Sequence, residues 1–149
     1  MSFIVDQRLD ISAPSDLVWE VITDFDTYGQ WNPFVVGCSS TLEVGSPIDM
    51  RVHIFRGFAQ PQRERIFEHV PGKMFCYGVP PDALGAIRSR RCHEVSQTVD
   101  GACSYHSYFE LSGWLAPLVR ALFGPRLERG FESMSQGIKT RAESLLANR

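Results

Sequence analysis

Ala13–Phe34 reads A-P-S-D-L-V-W-E-V-I-T-D-F-D-T-Y-G-Q-W-N-P-F. Leu17, Val18, Val21 and Ile22 recur at i, i+1, i+4 and i+5, an apolar stripe of helical period. Pro14 suits a first helical turn, because its fixed φ and missing N–H cost nothing there. Asp24 or Asp26 is placed to accept from the free N–H groups of a second helical turn, Thr27–Trp31. Asn32-Pro33 ends that turn, since the residue before a proline is pushed out of the α region. Two short helices therefore meet at a corner crowded with Trp19, Phe25, Tyr28, Trp31 and Phe34.

On either side of this corner the periodicity changes. Phe3, Val5 and Ile11 belong to a first strand ending near Ser12. Beyond the corner, Ile48, Met50, Val52 and Ile54 alternate with Asp49, Arg51 and His53, the period of a strand with one face buried. Turn signals then recur at strand-length intervals, at Gly45-Ser46-Pro47, Gly57–Pro61, Pro71-Gly72, Pro80–Gly85 and Asp100-Gly101. They place strands at about 35–43, 48–56, 61–70, 73–79, 86–99 and 102–113, seven in all with the first. Asp100-Gly101 predicts a two-residue type I′ hairpin, with positive φ at both positions. After Gly113, Leu127, Phe131, Met134, Ile138 and Leu145 form a helical stripe opposite Arg129, Glu132, Lys139, Arg141 and Glu143. Pro125 predicts a split into a short helix near 115–123 and a long one over 125–147.

These elements predict an α+β helix-grip fold. A curved seven-stranded antiparallel sheet wraps a long C-terminal helix, with two short helices between strands 1 and 2. The Ala13–Phe34 pattern, together with P-G-K-M-F-C-Y at Pro71–Tyr77, Leu111-Ser112-Gly113 and F-E-S-M-S-Q-G-I-K-T-R-A-E at Phe131–Glu143, resembles the START/Bet v 1-like superfamily, in particular its polyketide cyclase/dehydrase-like branch. The resemblance covers essentially the whole chain and implies the same fold, with a cavity between sheet and helix. It leaves activity open, because one fold hosts carriers, receptors and cyclases alike.

With 149 residues, the expectation is one domain spanning 1–149, large enough to bury roughly 68–70% of its unfolded surface. A net charge of −2 offers no overall field for nucleic acid or anionic lipid. No signal-peptide pattern or run of 18 apolar residues is present, so a cytoplasmic protein without integral membrane association is expected, as a monomer or weak homodimer. Cys38, Cys76, Cys92 and Cys103 lack metal-ligand or C-x-x-C spacing and read as reduced thiols. No metal or cofactor is expected.

Strand parity selects the residues that face the cavity. Leu111 and Phe109 bring Tyr105 and Ser107 inward, and Val95 and Ile87 bring in His93, Arg91 and Ser89. A neutral His93 near Tyr105 and Ser107 would orient a ligand oxygen or move a proton; the plainer reading is a core histidine. Arg91 either clamps a carboxylate or reaches solvent at the open strand end, with solvent preferred. Glu64, with Arg63 and Arg65, reads as part of a wet face. Met50, Phe75, Tyr77, Phe131, Met134 and Ile138 supply an adaptable apolar lining, and Trp31 either lines one mouth or wedges the corner. Gly130 and Gly137 mark a close sheet contact or room for a ligand. Leu115–Phe123 reads as a lid, with membrane docking less favoured because Arg120 is its only charge and no basic flank accompanies it.

The function expected is the binding of a small hydrophobic or aromatic molecule in that cavity. The alternative is a cofactor-independent cyclase, aromatase or dehydratase using the same space. An interaction module, hinted at by His106, Tyr108 and Trp114, is a third class.

Overall fold

The computed structural model describes residues 2–149. Strands β1 (Phe3–Ile11), β2 (Val35–Ser40), β3 (Pro47–Phe55), β4 (Phe58–Val70), β5 (Met74–Gly78), β6 (Arg88–Gln97) and β7 (Cys103–Ser112) form one antiparallel sheet in the order β1-β7-β6-β5-β4-β3-β2. The first two strands are thus its two edges. Helix α1 (Ser15–Thr23), a 3₁₀ turn (Phe25–Thr27) and α2 (Tyr28–Trp31) carry the chain between them. Register shifts within β2, β3 and β4 bend the sheet around α3 (Ala116–Ala147). This is the helix-grip fold.

The corner folds as its sequence predicts, with different capping. Neither Asp24 nor Asp26 caps the second turn through its side chain; the Asp24 carbonyl accepts from Thr27 N at 3.1 Å and Thr27 Oγ1 at 2.9 Å. Asn32 forms the exit turn instead, its Oδ1 accepting from Phe34 N and Val35 N at 3.0 and 2.9 Å, which aims the chain into β2. The β6–β7 hairpin also differs from the type I′ expectation. Thr98 O accepts from Gly101 N at 3.2 Å, and positive φ occurs at Gly101 but not at Asp100. The loop is therefore the three-residue form, with glycine alone in the left-handed region.

α3 is a single helix of 32 residues, about 48 Å long, and does not split at Pro125. Pro125 and Ala121 are both exposed, so water can satisfy the carbonyl that the missing N–H abandons. Gly130 and Gly137 resolve to close contacts, against the helical corner and not the sheet: a Cβ would lie 2.3 Å from the Phe34 ring at the first and 2.8 Å from Trp31 O at the second. Trp31 is accordingly a wedge between α2 and α3, edge-on to Tyr28.

The cysteine expectation is corrected. Cys76 and Cys92 face each other across β5 and β6 and form a disulfide, while Cys38 and Cys103 are free. Sixteen residues separate the two, and only the strand register brings them together. Burial pushes the Cys38 thiol up to about 12, with Asp49 adding to it. Among the described residues, no helix is long and apolar enough to cross a membrane.

Candidate functional site

One half of the space between sheet and α3 is filled solid. Phe75, His93, Tyr105, Met134 and Ile138 are all fully buried there. The His93 ring stacks on Phe75 at 4.9 Å, and its Nδ1 is hydrogen-bonded to Tyr105 Oη at 2.6 Å. Burial, aided by the Arg91 charge, holds the imidazole well below its ordinary range, so His93 is neutral. It packs beneath the cavity and does not line it.

The other half is open. Between α3 and the ends of β3 to β7 lies a cavity of about 190 Å³. Of the residues expected to face a ligand, Met50, Tyr77, Arg91, Phe109 and Phe131 line it. Phe34, Val52 and Ile54 close one wall, and Val119, Phe123 and Leu127 of α3 close another. The segment read as a lid is thus part of the fixed cover. Leu127 is legible in the stripe that carries Phe131, whereas the expected split at Pro125 assigns Val119 and Phe123 to a separate helix.

Arg91 is the polar centre. It is buried, not solvent-seeking: 3% of it is exposed. Its guanidinium donates to Ser107 Oγ at 2.6 Å and to the Tyr108 carbonyl at 3.4 Å, and it stacks over the Phe131 ring at 4.5 Å. Ser107 therefore serves to hold Arg91. Among the described residues Arg91 forms no ion pair. A guanidinium has five donors, and these contacts use few of them.

Glu64 is the residue that sequence reading missed. It lines the same cavity with Gln62, sharing inward parity with the buried Ile66 two residues on. Its neighbours Arg63 and Arg65 turn outward, which is why this charged run reads as a wet face. Burial raises the Glu64 carboxyl to about 7, and the positive charge of Arg91 works against that rise. Both its protonated and ionised forms are within reach near neutral pH. No group of three or more potential metal ligands occurs among the described residues. The arrangement is a mostly apolar cavity with one fixed cation and one carboxyl poised to gain or lose a proton.

A family model described as polyketide cyclase / dehydrase and lipid transport matches residues 2–143. No curated protein matches the chain in sequence. Among solved structures, the Zhui aromatase/cyclase from Streptomyces is similar, with a TM-score of 0.76 at 17% identity, covering 96% of this chain and 94% of that one. A START superfamily protein from Mycobacterium smegmatis gives a TM-score of 0.70 at 17% identity, over 95% and 98% of the two chains. Norcoclaurine synthase from Thalictrum flavum, in complex with a transition-state analogue, gives 0.69 at 16%, over 97% and 96%. At such identities the likeness is one of fold.

Proposed function

Because the chain belongs to the polyketide cyclase/dehydrase and lipid transport family, we propose that it binds a small ring-bearing apolar molecule in the cavity between sheet and α3, held by an acidic or carbonyl oxygen on Arg91. The observation that carries this reading is a buried arginine without an acidic partner in a mostly apolar cavity. Leaving such a charge unanswered is costly, and a ligand oxygen answers it with charge-assisted hydrogen bonds. An engineered apolar cavity of about 150 Å³ holds benzene, so about 190 Å³ suits roughly one ring with a short polar substituent. A long folded polyketide chain does not fit this volume.

Fluorescence titration with salicylate, against the neutral salicylamide, tests it. Saturable binding of the acid, roughly tenfold or more tighter than the amide, is the expected result. Failure of both to saturate would overturn the reading.

The cyclase or dehydratase reading is favoured by Glu64 alone. A carboxyl titrating near 7 beside a fixed cation is suited to take a proton α to a carbonyl while Arg91 holds the developing enolate oxygen. In deuterated water, loss of the α-proton signal of ethyl benzoylacetate reports that step: the Glu64 carboxylate removes the proton and solvent deuterium returns to carbon. The base works only when ionised, so the protein-dependent exchange rate should rise with pH through about 7 and vanish in Glu64→Gln. Exchange no faster than buffer leaves binding as the sole function.

A further inference from the structure

Six of the eleven exposed large apolar side chains among the described residues surround one end of the molecule, the end where the cavity lies. They are Phe55 and Phe58 at the β3–β4 turn, Leu84 in the β5–β6 loop, and Trp114, Leu118 and Leu122 at the start of α3; exposure runs from 38% at Phe55 to 78% at Leu84. Contacts join the three segments. Trp114 Nε1 donates to the Leu84 carbonyl at 2.9 Å. Leu118 and Leu122 share one face of α3, and Trp114 lies in the turn just before that helix. The neighbouring Phe123 meets Phe55 edge-on at 5.6 Å, and Phe55 pairs with Phe58 in the hairpin.

That face continues into cations. Arg126 lies 5.5 Å over the Phe55 ring, and Arg126, Arg129, Arg56 and His53 line one groove that contains no carboxylate. None of the three arginines forms an ion pair among the described residues. Glu132, three residues beyond Arg129, is exposed, does not line this groove and forms no ion pair among the described residues. Two other acids of this end turn elsewhere. Asp82 accepts from Ala86 N within its own loop at 3.1 Å, and Glu128 lines a groove with Ser2 and Phe3. The groove shares Phe34 and Ile54 with the cavity. A chain with a net charge of −2 thus gathers positive charge beside its opening.

We infer that this rim docks the protein on an anionic phospholipid surface, so that the cavity opens against the bilayer in which an apolar ligand is concentrated. Apolar tips from three separate segments, with a tryptophan among them and arginines alongside, are what an interface of acyl chain and charged headgroup accommodates. A fluid surface needs no shape complementarity to such a corrugated rim. The basic flank missing beside Leu115–Phe123 in the sequence is supplied by Arg56 from the β3–β4 turn and by Arg126 and Arg129, one to two turns further along the helix.

Sedimentation of the full chain with vesicles tests the inference, using phosphatidylcholine alone against equimolar phosphatidylcholine and phosphatidylserine. Binding is expected to the mixed vesicles only and to weaken with salt. Arg126→Gln and Arg129→Gln should each cost about fivefold in affinity, and Leu118→Ser with Leu122→Ser about tenfold or more. These four side chains lie outside the cavity lining, so salicylate binding in the same variants reports that the fold is intact. Absence of wild-type binding to mixed vesicles would overturn the inference, as would variants that bind like wild type. Preferential retention on poly-glutamate over vesicles would assign the rim to an acidic protein and overturn it equally. Vesicle binding without salicylate binding leaves docking standing and removes only the cavity reading.

Discussion

Arg91→Met is expected to stabilise the empty protein while removing its preference for acidic ring ligands. Methionine keeps much of the length of the arginine stem, and the guanidinium it replaces already lies against the Phe131 ring and the Met134 sulfur. What disappears is a buried cation without a carboxylate partner, whose desolvation costs several kcal/mol even after relaxation. Against this stands the orphaned Ser107 hydroxyl, about 1–3 kcal/mol. The loss of Arg91 also removes the charge that restrains Glu64, so Glu64 stays protonated to higher pH and the cavity becomes neutral. A net gain of about 1 kcal/mol raises the melting temperature by roughly 2–4 °C in a chain of this size. Affinity for salicylate should fall about 10- to 100-fold, the worth of a charge-assisted hydrogen bond, with salicylamide nearly unaffected. A lower melting temperature together with unchanged salicylate affinity would show Arg91 to be purely structural. Arg91→Lys keeps the charge without the fork and should recover part of the affinity.

Gly78→Ala is expected to cost about 4 kcal/mol or more, at the extreme of single substitutions. A Cβ at this position would sit 1.9 Å from the Ser89 carbonyl oxygen and 2.6 Å from its carbon, with the Phe67 ring at 3.0 Å behind it. Ser89 belongs to the neighbouring strand, where Ser89 N donates to Val79 O at 3.0 Å and Val79 N donates to Ser89 Oγ at 2.9 Å. The clash is with backbone, so β5 and β6 must part just where Ser89 and Arg91 face the cavity. Thermal unfolding followed by circular dichroism checks this, with Gly72→Ala as the comparison. Gly72 has φ +77 but open space around it, so its cost is limited to about 1 kcal/mol of backbone strain. Equal melting temperatures for the two variants would mean that the strand pair relaxes around the added methyl.

The succession of elements was legible because each rests on a local rule. The Leu17–Ile22 stripe, the Asn32-Pro33 stop, the alternation of Ile48–Ile54 and the stripe from Leu127 to Leu145 each specify an element within a few residues of itself. Inward parity on β6 and β7 followed from the two-residue period, which is why Arg91, His93, Tyr105, Ser107 and Phe109 all face inward as expected. Parity says nothing about depth. His93 lies in the filled half and Arg91 in the open half although two residues separate them, because α3 approaches the sheet closely at one end and less so at the other. Where charges cluster, the pattern reads as a wet face: the exposed Arg63 and Arg65 hid Glu64 between them, although it shares the inward parity of Ile66.

Everything that joins distant segments was decided by tertiary structure alone. Cys76 meets Cys92 through strand register, Gly78 meets Ser89 through strand pairing, and Gly130 meets Phe34 through the seating of α3 on the corner. Arg56 reaches the groove of Arg126 and Arg129 because the β3–β4 turn folds up beside the helix. The sequence by itself thus determined the strands and the N-terminal corner, their order and the buried face of most of them, since hydrophobic period and turn chemistry are local, but not that α3 runs unbroken through Pro125. It left undetermined the partner of each buried charge and the depth of each inward residue, because electrostatic and packing free energies depend on distances between segments that only the closed sheet brings together.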